Sequence, residues 1–147
     1  MIALAMPTPL RAPVAAPVSP NLQSFIALDF GQKRTGVATG NRLLMAATPQ
    51  RTIVAEGDAK LDKIGLLVAE WQPDALVIGV PFHPDGNEHE NTRRARRFGR
   101  QLLARFSLPV FEVDERYSTT EALSAGAKDA DAASACIILE QFFRSLV

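Results

Sequence analysis

The sequence is poor in several features that would point to particular classes of protein. It has a single cysteine, Cys136, so no disulfide can form within the chain and a cysteine metal site is not expected. This usage fits a reducing compartment, and we expect a cytoplasmic location. No apolar run approaches the roughly 20 residues of a membrane-spanning helix, so no membrane partner is expected. The 16 basic side chains are balanced by 16 acidic ones, which gives no case for binding nucleic acid through bulk charge.

Two motifs of nucleotide-binding proteins are matched only in part. The stretch Gly31–Gly36 has no lysine-serine or lysine-threonine ending, which a P-loop requires. Asp29-Phe30-Gly31 matches the metal-binding tripeptide of kinases, but no kinase lysine or catalytic loop accompanies it. Neither a P-loop protein nor a kinase is therefore indicated.

The first 23 residues differ in composition from the rest of the chain. Five of the ten prolines and only one charged residue, Arg11, lie in residues 1–23. Prolines at this density do not allow a helix or a central strand. We therefore expect a disordered tail over residues 1–23 and one folded domain over residues 24–147.

Apolar patterns predict an α/β fold for residues 24–147. The first three predicted strands are close enough in sequence to pair antiparallel, whereas the later alternation of strands and helices implies parallel strands with right-handed crossovers. The result is a mixed five-stranded sheet with helices on both faces. The predicted strands are Phe25–Phe30, Thr35–Thr39, Gln50–Val54, Ala75–Val80 and Pro109–Val113, and the predicted helices are Gly57–Gln72, Glu88–Phe106, Ser118–Ala125 and Asp131–Leu146.

Acidic residues occur at three points that this topology brings to one edge of the sheet. Asp29 ends the first strand, Asp114 and Glu115 follow the last strand, and Asp131 opens the final helix. Each position also has a structural interpretation, as turn chemistry, a solvated turn and a helix N-cap respectively. Carboxylates gathered at one edge repel each other unless cations hold them, and such ligands select Mg²⁺ or Mn²⁺. Two such ions can clamp a phosphodiester for hydrolysis.

Basic residues are concentrated in the long helix predicted at Glu88–Phe106. Arg93, Arg96 or Arg97, and Arg100 share one face of this helix, and few acids follow Glu90 to pair with them. A solvated face is the alternative interpretation. A phosphate backbone is a natural partner for such a face, but no aromatic residues are interleaved for base stacking, so reading of base sequence is not indicated.

These motifs, taken in order, resemble the YqgF/RuvX family. The family consists of small bacterial proteins with an RNase H-like fold, described as pre-16S rRNA nucleases and as Holliday junction resolvase-like nucleases. The resemblance covers the chain from Phe25 to its end. The matching segments are Asp29-Phe-Gly-Gln-Lys-Arg34, Thr35-Gly-Val-Ala38, Gly79-Val-Pro81 with Asp85-Gly86, Asp114-Glu-Arg116 with Ser118-Thr119, and Asp131-Ala-Ala-Ser-Ala135 with Ile137-Ile-Leu139.

The resemblance implies a metal-dependent nuclease that processes the 5′ end of pre-16S rRNA, with Asp29, Glu115 and Asp131 as the acidic triad for Mg²⁺ or Mn²⁺. It favours Glu115 over Asp114. Neighbours on an extended segment point opposite ways, so only one of these two is expected to be a ligand. The implied partners are structured RNA, DNA junctions and ribosomal precursor particles. The residues expected to bind substrate are Lys33, Arg34, Arg93, Arg97, Arg100 and Arg116.

The sequence departs from the family pattern between Glu121 and Asp131. The family usually carries a longer basic loop here, whereas this segment has Lys128 as its only cation. This departure favours one alternative to rRNA processing, a nucleic-acid-binding scaffold without catalysis. Holliday junction cleavage, within the same class of nucleases, stays open as another.

Overall fold

The computed structural model describes residues 18–115 and 130–146. Residues 1–17 and the helix predicted at Ser118–Ala125 lie outside this range. None of the helices in the described ranges is long and apolar enough to cross a membrane. The strands are β1 (Ser24–Asp29), β2 (Arg34–Asn41), β3 (Ala46–Pro49), β4 (Ile53–Val54), β5 (Ala75–Val80) and β6 (Val110–Asp114), and the helices are α1 (Gly57–Trp71), α2 (Glu90–Phe106) and α3 (Ala130–Ser145).

The main sheet has five strands in the order β3-β2-β1-β5-β6. The pairs β1–β2 and β2–β3 are antiparallel, whereas β1–β5 and β5–β6 are parallel. The predicted mixed five-stranded sheet is thus confirmed, and β4 adds a two-residue pairing at the start of β2. Because β5 lies between β1 and β6, the carboxyl ends of these three parallel strands meet at one edge of the sheet.

Helices cover both faces of the sheet, as predicted. Along β1, Ile26 and Leu28 pack into a core with α1 and α2, whereas Phe25 and Ala27 pack into a second core with α3. This alternation follows from the two-residue period of a strand. All six residues of β5 are buried, because that strand is covered on both faces.

The third strand of the sheet differs from the prediction at Gln50–Val54. It is formed by Ala46–Pro49, and only Ile53–Val54 of the predicted segment pairs as a strand. The turn before it contains neither glycine nor proline. Asn41 closes that turn instead, because its side-chain oxygen accepts from the backbone N–H of Leu44 at 2.8 Å, and Met45 adopts a positive φ of 54°.

Packing against the core reaches back to Val18. Its side chain is 7% exposed and lies in the α3-side core. Arg42 Nη1 donates to the carbonyl oxygen of Ser19 at 2.9 Å, which fixes this segment beside the end of β2. The tail was expected to end at Gln23, but the described chain already packs against the core at Val18. The expectation of a disordered tail stays a prediction for residues 1–17.

Candidate active site

Asp29 lies at the carboxyl end of β1, opposite Gly36 of β2. Its carboxylate is hydrogen-bonded to the side chains of Glu115, which follows β6, and Ser134 of α3. Three separate elements therefore meet at this one carboxylate, since β1, the end of β6 and α3 all reach the same sheet edge.

The protonation of Asp29 reflects this setting. The pKa of Asp29 is raised from 3.8 to about 6, chiefly by burial and to a smaller extent by the nearby charge of Asp131. The hydrogen bonds from the side chains of Glu115 and Ser134 act in the opposite direction and lower this pKa. A hydrogen bond between two carboxyl groups needs a proton on one of them, so Asp29 and Glu115 share one proton in this arrangement.

Glu115 reaches Asp29 by passing over the intervening strand β5. A Cβ atom at Gly79 would lie 2.6 Å from Glu115 Oε2, so the glutamate carboxylate occupies the space that any other side chain would take. The backbone N–H of Glu115 donates to the carbonyl oxygen of Val80 at 3.2 Å, which extends the pairing with β5 by one residue. Asp114 is exposed. Of the two neighbouring acids, the structure brings Glu115 to Asp29.

Asp131 lies in the first turn of α3, which rests directly on β2. A Cβ atom at Gly36 would lie 1.9 Å from the carbonyl oxygen of Asp131, so this close approach requires glycine. The carboxylate of Asp131 accepts a hydrogen bond from Arg34 Nε at 2.7 Å. Within residues 18–115 and 130–146, no three histidine, cysteine or acidic side chains are arranged to hold one metal ion. Asp131 thus lies near Asp29 but is paired with Arg34.

A polar cleft of about 480 Å³ opens at this edge, between the end of β1 and the first turns of α2. Asp29 and Glu115 line one part of it, and Asn91 and Arg94 of α2 line another. Arg94 also pairs with Glu90 through an Nη2–Oε2 contact of 2.7 Å. The cleft therefore places acidic groups opposite basic and amide groups across a space large enough for a phosphodiester.

The arginines of α2 divide into two groups. Three of them pair with acidic side chains, namely Arg94 with Glu90, Arg96 with Glu88 and Glu112, and Arg105 with Asp62. The other three, Arg93, Arg97 and Arg100, are exposed and have no ion pair with any residue that the structure describes. We call these last three the arginine face.

The other expected substrate-binding residues have different surroundings. Lys33 is exposed in the turn between β1 and β2. Arg34, the first residue of β2, is half exposed and forms an ion pair with Asp131. Arg116 lies outside the described residues, as does the segment with Lys128, so their expected roles stay predictions.

The chain is similar to several known proteins. A family model described as "RuvX: Holliday junction resolvase" matches residues 23–145. The chain belongs to the RuvX family. RuvX proteins are nucleases, so the chain falls in a family of hydrolases that cleave phosphodiester bonds.

Two similar relatives of this RuvX chain carry the name "Putative pre-16S rRNA nuclease". The protein from Albidiferax ferrireducens is 68% identical over 149 residues, covering 96% of each chain. The protein from a Polaromonas species is 74% identical over 125 residues, covering 85% of this chain and 91% of the relative. Among solved structures, Thermus thermophilus RuvC in complex with a Holliday junction substrate matches with a TM-score of 0.50 at 16% identity, over 84% of this chain and 94% of that one. This last likeness shows a shared RNase H-like fold.

Two residues around the RuvX site were not predicted from the sequence. The ammonium group of Lys60, on α1, is buried and donates to the carbonyl oxygens of Gly31 at 2.6 Å and Gln32 at 3.0 Å. Burial lowers the pKa of Lys60. Lys60 therefore fixes the turn that follows Asp29. The sequence indicates its burial only by its spacing, because it lies four residues before Ile64 and so on the apolar face of the helix. Ser134 likewise lies three residues after Asp131, on the same side of its helix.

Proposed function

We propose that this RuvX-family chain is a metal-dependent nuclease that processes the 5′ end of pre-16S rRNA in the cytoplasm, as part of ribosome biogenesis. Asp29, Glu115 and Asp131 are its metal-binding carboxylates. The observation that carries this proposal is the pair of carboxyl groups of Asp29 and Glu115, which meet at the cleft across the width of β5.

The side chains at this edge fit a hard divalent cation. A raised pKa at Asp29 means that its negative charge is poorly compensated by the protein alone. A cation that replaced the proton between Asp29 and Glu115 would supply that compensation. The donors offered are carboxylate oxygens with the Ser134 hydroxyl nearby, which suits Mg²⁺ or Mn²⁺ rather than a softer metal. When bound, such an ion activates water and stabilises the leaving oxygen of a phosphodiester.

Arg34 has two partners available to it in this proposal. In the structure its Nε donates to Asp131, which orients that carboxylate at the edge of the site. A substrate phosphate would compete for the same guanidinium group, because arginine binds carboxylates and phosphates with the same donor geometry. Arrival of the substrate would thereby release Asp131 toward Asp29.

The arginine face binds the phosphate backbone of the substrate. Its three guanidinium groups are exposed and unpaired among the described residues, so no ion pair within the described ranges has to break when phosphates bind. Such contacts position a backbone without reading its sequence. RNA is proposed as the substrate because the similar relatives are named for pre-16S rRNA, whereas the description of the family model favours cleavage of Holliday junctions as the second candidate.

The test is cleavage of a pre-16S transcript with its 5′ extension by the purified chain. We expect cleavage with Mg²⁺ or Mn²⁺ and none with a chelator. Asp29→Asn and Glu115→Gln should each lower the rate by about 100-fold or more, because each removes a ligand charge. Asp114→Asn, at the same edge but exposed, is the control and should cleave like the unmodified chain.

A second readout separates metal binding from catalysis. Mg²⁺ or Mn²⁺ should raise the melting temperature of the unmodified chain, because it binds only the folded state, and should raise that of Asp29→Asn much less. Full cleavage activity in Asp29→Asn would overturn the assignment of the site. Cleavage of a four-way DNA junction, with the transcript left intact, would select the second candidate function.

A further inference from the structure

A second cleft, of about 290 Å³, adjoins the active-site cleft on its α1 side. The two share Phe30, Gln32 and Arg94 in their walls, so they are continuous. We call the second one the side cleft. One ligand could therefore occupy both clefts, with one part of the molecule in the side cleft and the adjoining part in the active-site cleft.

The side cleft combines two aromatic rings with hydrogen-bonding groups. Phe30 and Phe98 contribute the rings, with centroids 4.7 Å apart, and Phe98 is held rigidly because it is buried in the core. The Lys60 ammonium group lies 4.2 Å from the Phe30 centroid and covers one face of that ring. Gln32 and Gln101 contribute amide groups, each of which can donate and accept. A flat, partly apolar group with donors and acceptors around its edge matches these walls.

The charged side chains of the side cleft leave one basic group available to an occupant. Glu56 lines the cleft together with Lys60, Arg94 and Arg97. Lys60 already donates to the carbonyl oxygens of Gly31 and Gln32, and Arg94 is paired with Glu90. A carboxylate repels a phosphate but accepts hydrogen bonds from the exocyclic amino groups and ring N–H groups of a nucleobase. Guanidinium planes such as that of Arg97, which is exposed and has no ion pair among the described residues, are common stacking partners of unpaired bases.

The volume of the side cleft also favours a single nucleobase as its occupant. Pockets for whole drug-sized ligands run from about 300 to 1,000 Å³, and this one lies at the lower end. It therefore suits a single base rather than a nucleotide with its backbone. The backbone would remain outside, between the active-site cleft and the arginine face.

We infer that the side cleft receives one unpaired nucleobase of an RNA substrate, next to the phosphate that is cleaved. This inference rests on the proposed nuclease function and specifies its substrate. A base inside a helix is not available to such a pocket unless it is first unstacked and unpaired, which costs free energy. The chain is thereby selective for single-stranded or looped RNA beside the cleavage point, and rigid duplex RNA is a poor substrate.

A binding experiment tests the side cleft without relying on cleavage. The Asp29→Asn chain is titrated against short single-stranded RNAs that carry one 2-aminopurine at successive positions, and fluorescence is recorded. We expect a change at one position that is much larger than at the others. The same titration with Gln101→Trp in the Asp29→Asn background should abolish that change, because the indole fills the side cleft from its rim.

The matched control is Ala104→Trp in the same background. Ala104 is exposed on α2, one turn beyond Gln101, and lines neither cleft. It introduces the same bulky side chain on the same helix, and its fluorescence response should equal that of Asp29→Asn alone. Equal responses in the two tryptophan variants, or a response that is uniform along the RNA, would overturn the inference.

Cleavage then provides a second test in the active chain. Removing the base at the responsive position, to leave an abasic site, should lower kcat/KM at least tenfold in the unmodified chain and in Ala104→Trp. Gln101→Trp should cleave intact RNA tenfold more slowly and lose nothing further on the abasic RNA. If none of these chains cleaves any RNA, the proposed function fails, whereas the fluorescence titration still decides the side cleft.

Discussion

Gly36 of β2 and Asp131 of α3 are in direct contact through their backbones. A Cβ atom at Gly36 would lie 1.9 Å from the carbonyl oxygen of Asp131 and 3.1 Å from its Cα. Both neighbouring atoms belong to the main chain, so they cannot move away by a side-chain rotation. The distance between the strand and the helix is therefore fixed by the absence of a side chain at residue 36.

Gly36→Ala is predicted to lower both stability and activity. The added methyl group has to push α3 away from the sheet, and overpacking of this kind costs about 1–3 kcal/mol of unfolding free energy. Because Asp131 moves with the helix, metal-dependent cleavage should fall at least tenfold. Urea unfolding and cleavage rates measure the two effects.

Gly65→Ala is the matched control for this substitution. A Cβ atom at Gly65, inside α1, would make an ordinary contact of 3.4 Å with Phe106. Replacing a helical glycine by alanine stabilises a helix by about 0.5–1 kcal/mol, so this variant should be slightly more stable and fully active. An equal loss of stability in both variants would mean that the contact of Gly36 with α3 is not the cause.

Asp29 is predicted to make the stability of the protein depend on pH. Its pKa is raised from 3.8 to about 6 in the folded chain, so the folded state binds a proton more tightly than the unfolded state does. As pH rises from about 4 to 6, the folded state therefore loses stability relative to the unfolded state, and the loss is complete above pH 6. In a chelator at pH 7, Asp29→Asn should be about 1–3 kcal/mol more stable than the unmodified chain.

Urea unfolding at pH 7 and at pH 4 checks this expectation. The advantage of Asp29→Asn should largely disappear at the lower pH, because the aspartate is then protonated in the folded state and about half protonated in the unfolded state, whose pKa is 3.8. A less stable Asp29→Asn chain at pH 7 would show that the ionised carboxylate is well compensated without metal.

The arginine face is predicted to carry the salt dependence of RNA binding. If each of Arg93, Arg97 and Arg100 neutralises one phosphate, replacing all three with alanine should reduce the slope of log affinity against log salt by about 2–3. Affinity for RNA and for DNA junctions should fall together, because these contacts position the backbone without specifying sequence. Filter binding between 50 and 200 mM salt gives the slope.

Arg105→Ala is the control for the arginine face. Its Nη2 lies 2.5 Å from Asp62 Oδ1, so it already has a partner within the protein. The salt slope of this variant should stay within error of the unmodified chain. An unchanged slope in the triple variant would return the arginine face to a solvated surface.

The segment Val18–Gln23 is predicted to contribute to stability. A chain that starts at Ser24 loses the burial of Val18, worth about 1.5–3 kcal/mol, together with the contacts of Arg42 to this segment. Its melting temperature should fall by roughly 5–10 °C. A chain that starts at Val18 should melt within about two degrees of the full chain, and equal melting temperatures for the two truncated chains would show that Val18 is dispensable.

Much of the fold follows from local patterns in the sequence. The continuous apolar run Ala75–Val80 predicts both ends of β5 correctly. A strand that is buried on both faces is apolar at every position, so its ends are marked by the first polar residue or proline on each side. The third strand was misplaced because Asn41 closes its turn through a side-chain hydrogen bond, without glycine or proline to mark it. Turns of this kind depend on one side-chain contact, which composition does not reveal.

The candidate site was predictable in its location and less so in its details. The sheet order alone brings the ends of β1 and β6 to one edge, so the approach of Glu115 to Asp29 follows from topology. The ion pair of Asp131 with Arg34 depends on two side-chain rotamers and a contact between residues 97 positions apart, which no local pattern encodes. The same holds for Lys60, whose partners are backbone carbonyls of another segment.

Gly79 shows how a residue without a functional group can matter to the reaction. The atoms nearest to a Cβ at this position are the ends of two side chains, Glu115 Oε2 at 2.6 Å and Ile138 Cδ1 at 2.5 Å, and both can swing aside. An alanine here would leave the fold nearly intact while turning the carboxylate of Glu115 away from Asp29. Substitutions at Gly79 should therefore lower activity with little effect on stability, as substitutions of the acidic residues would. Substitutions at Gly36 should lower stability, as substitutions in the core do.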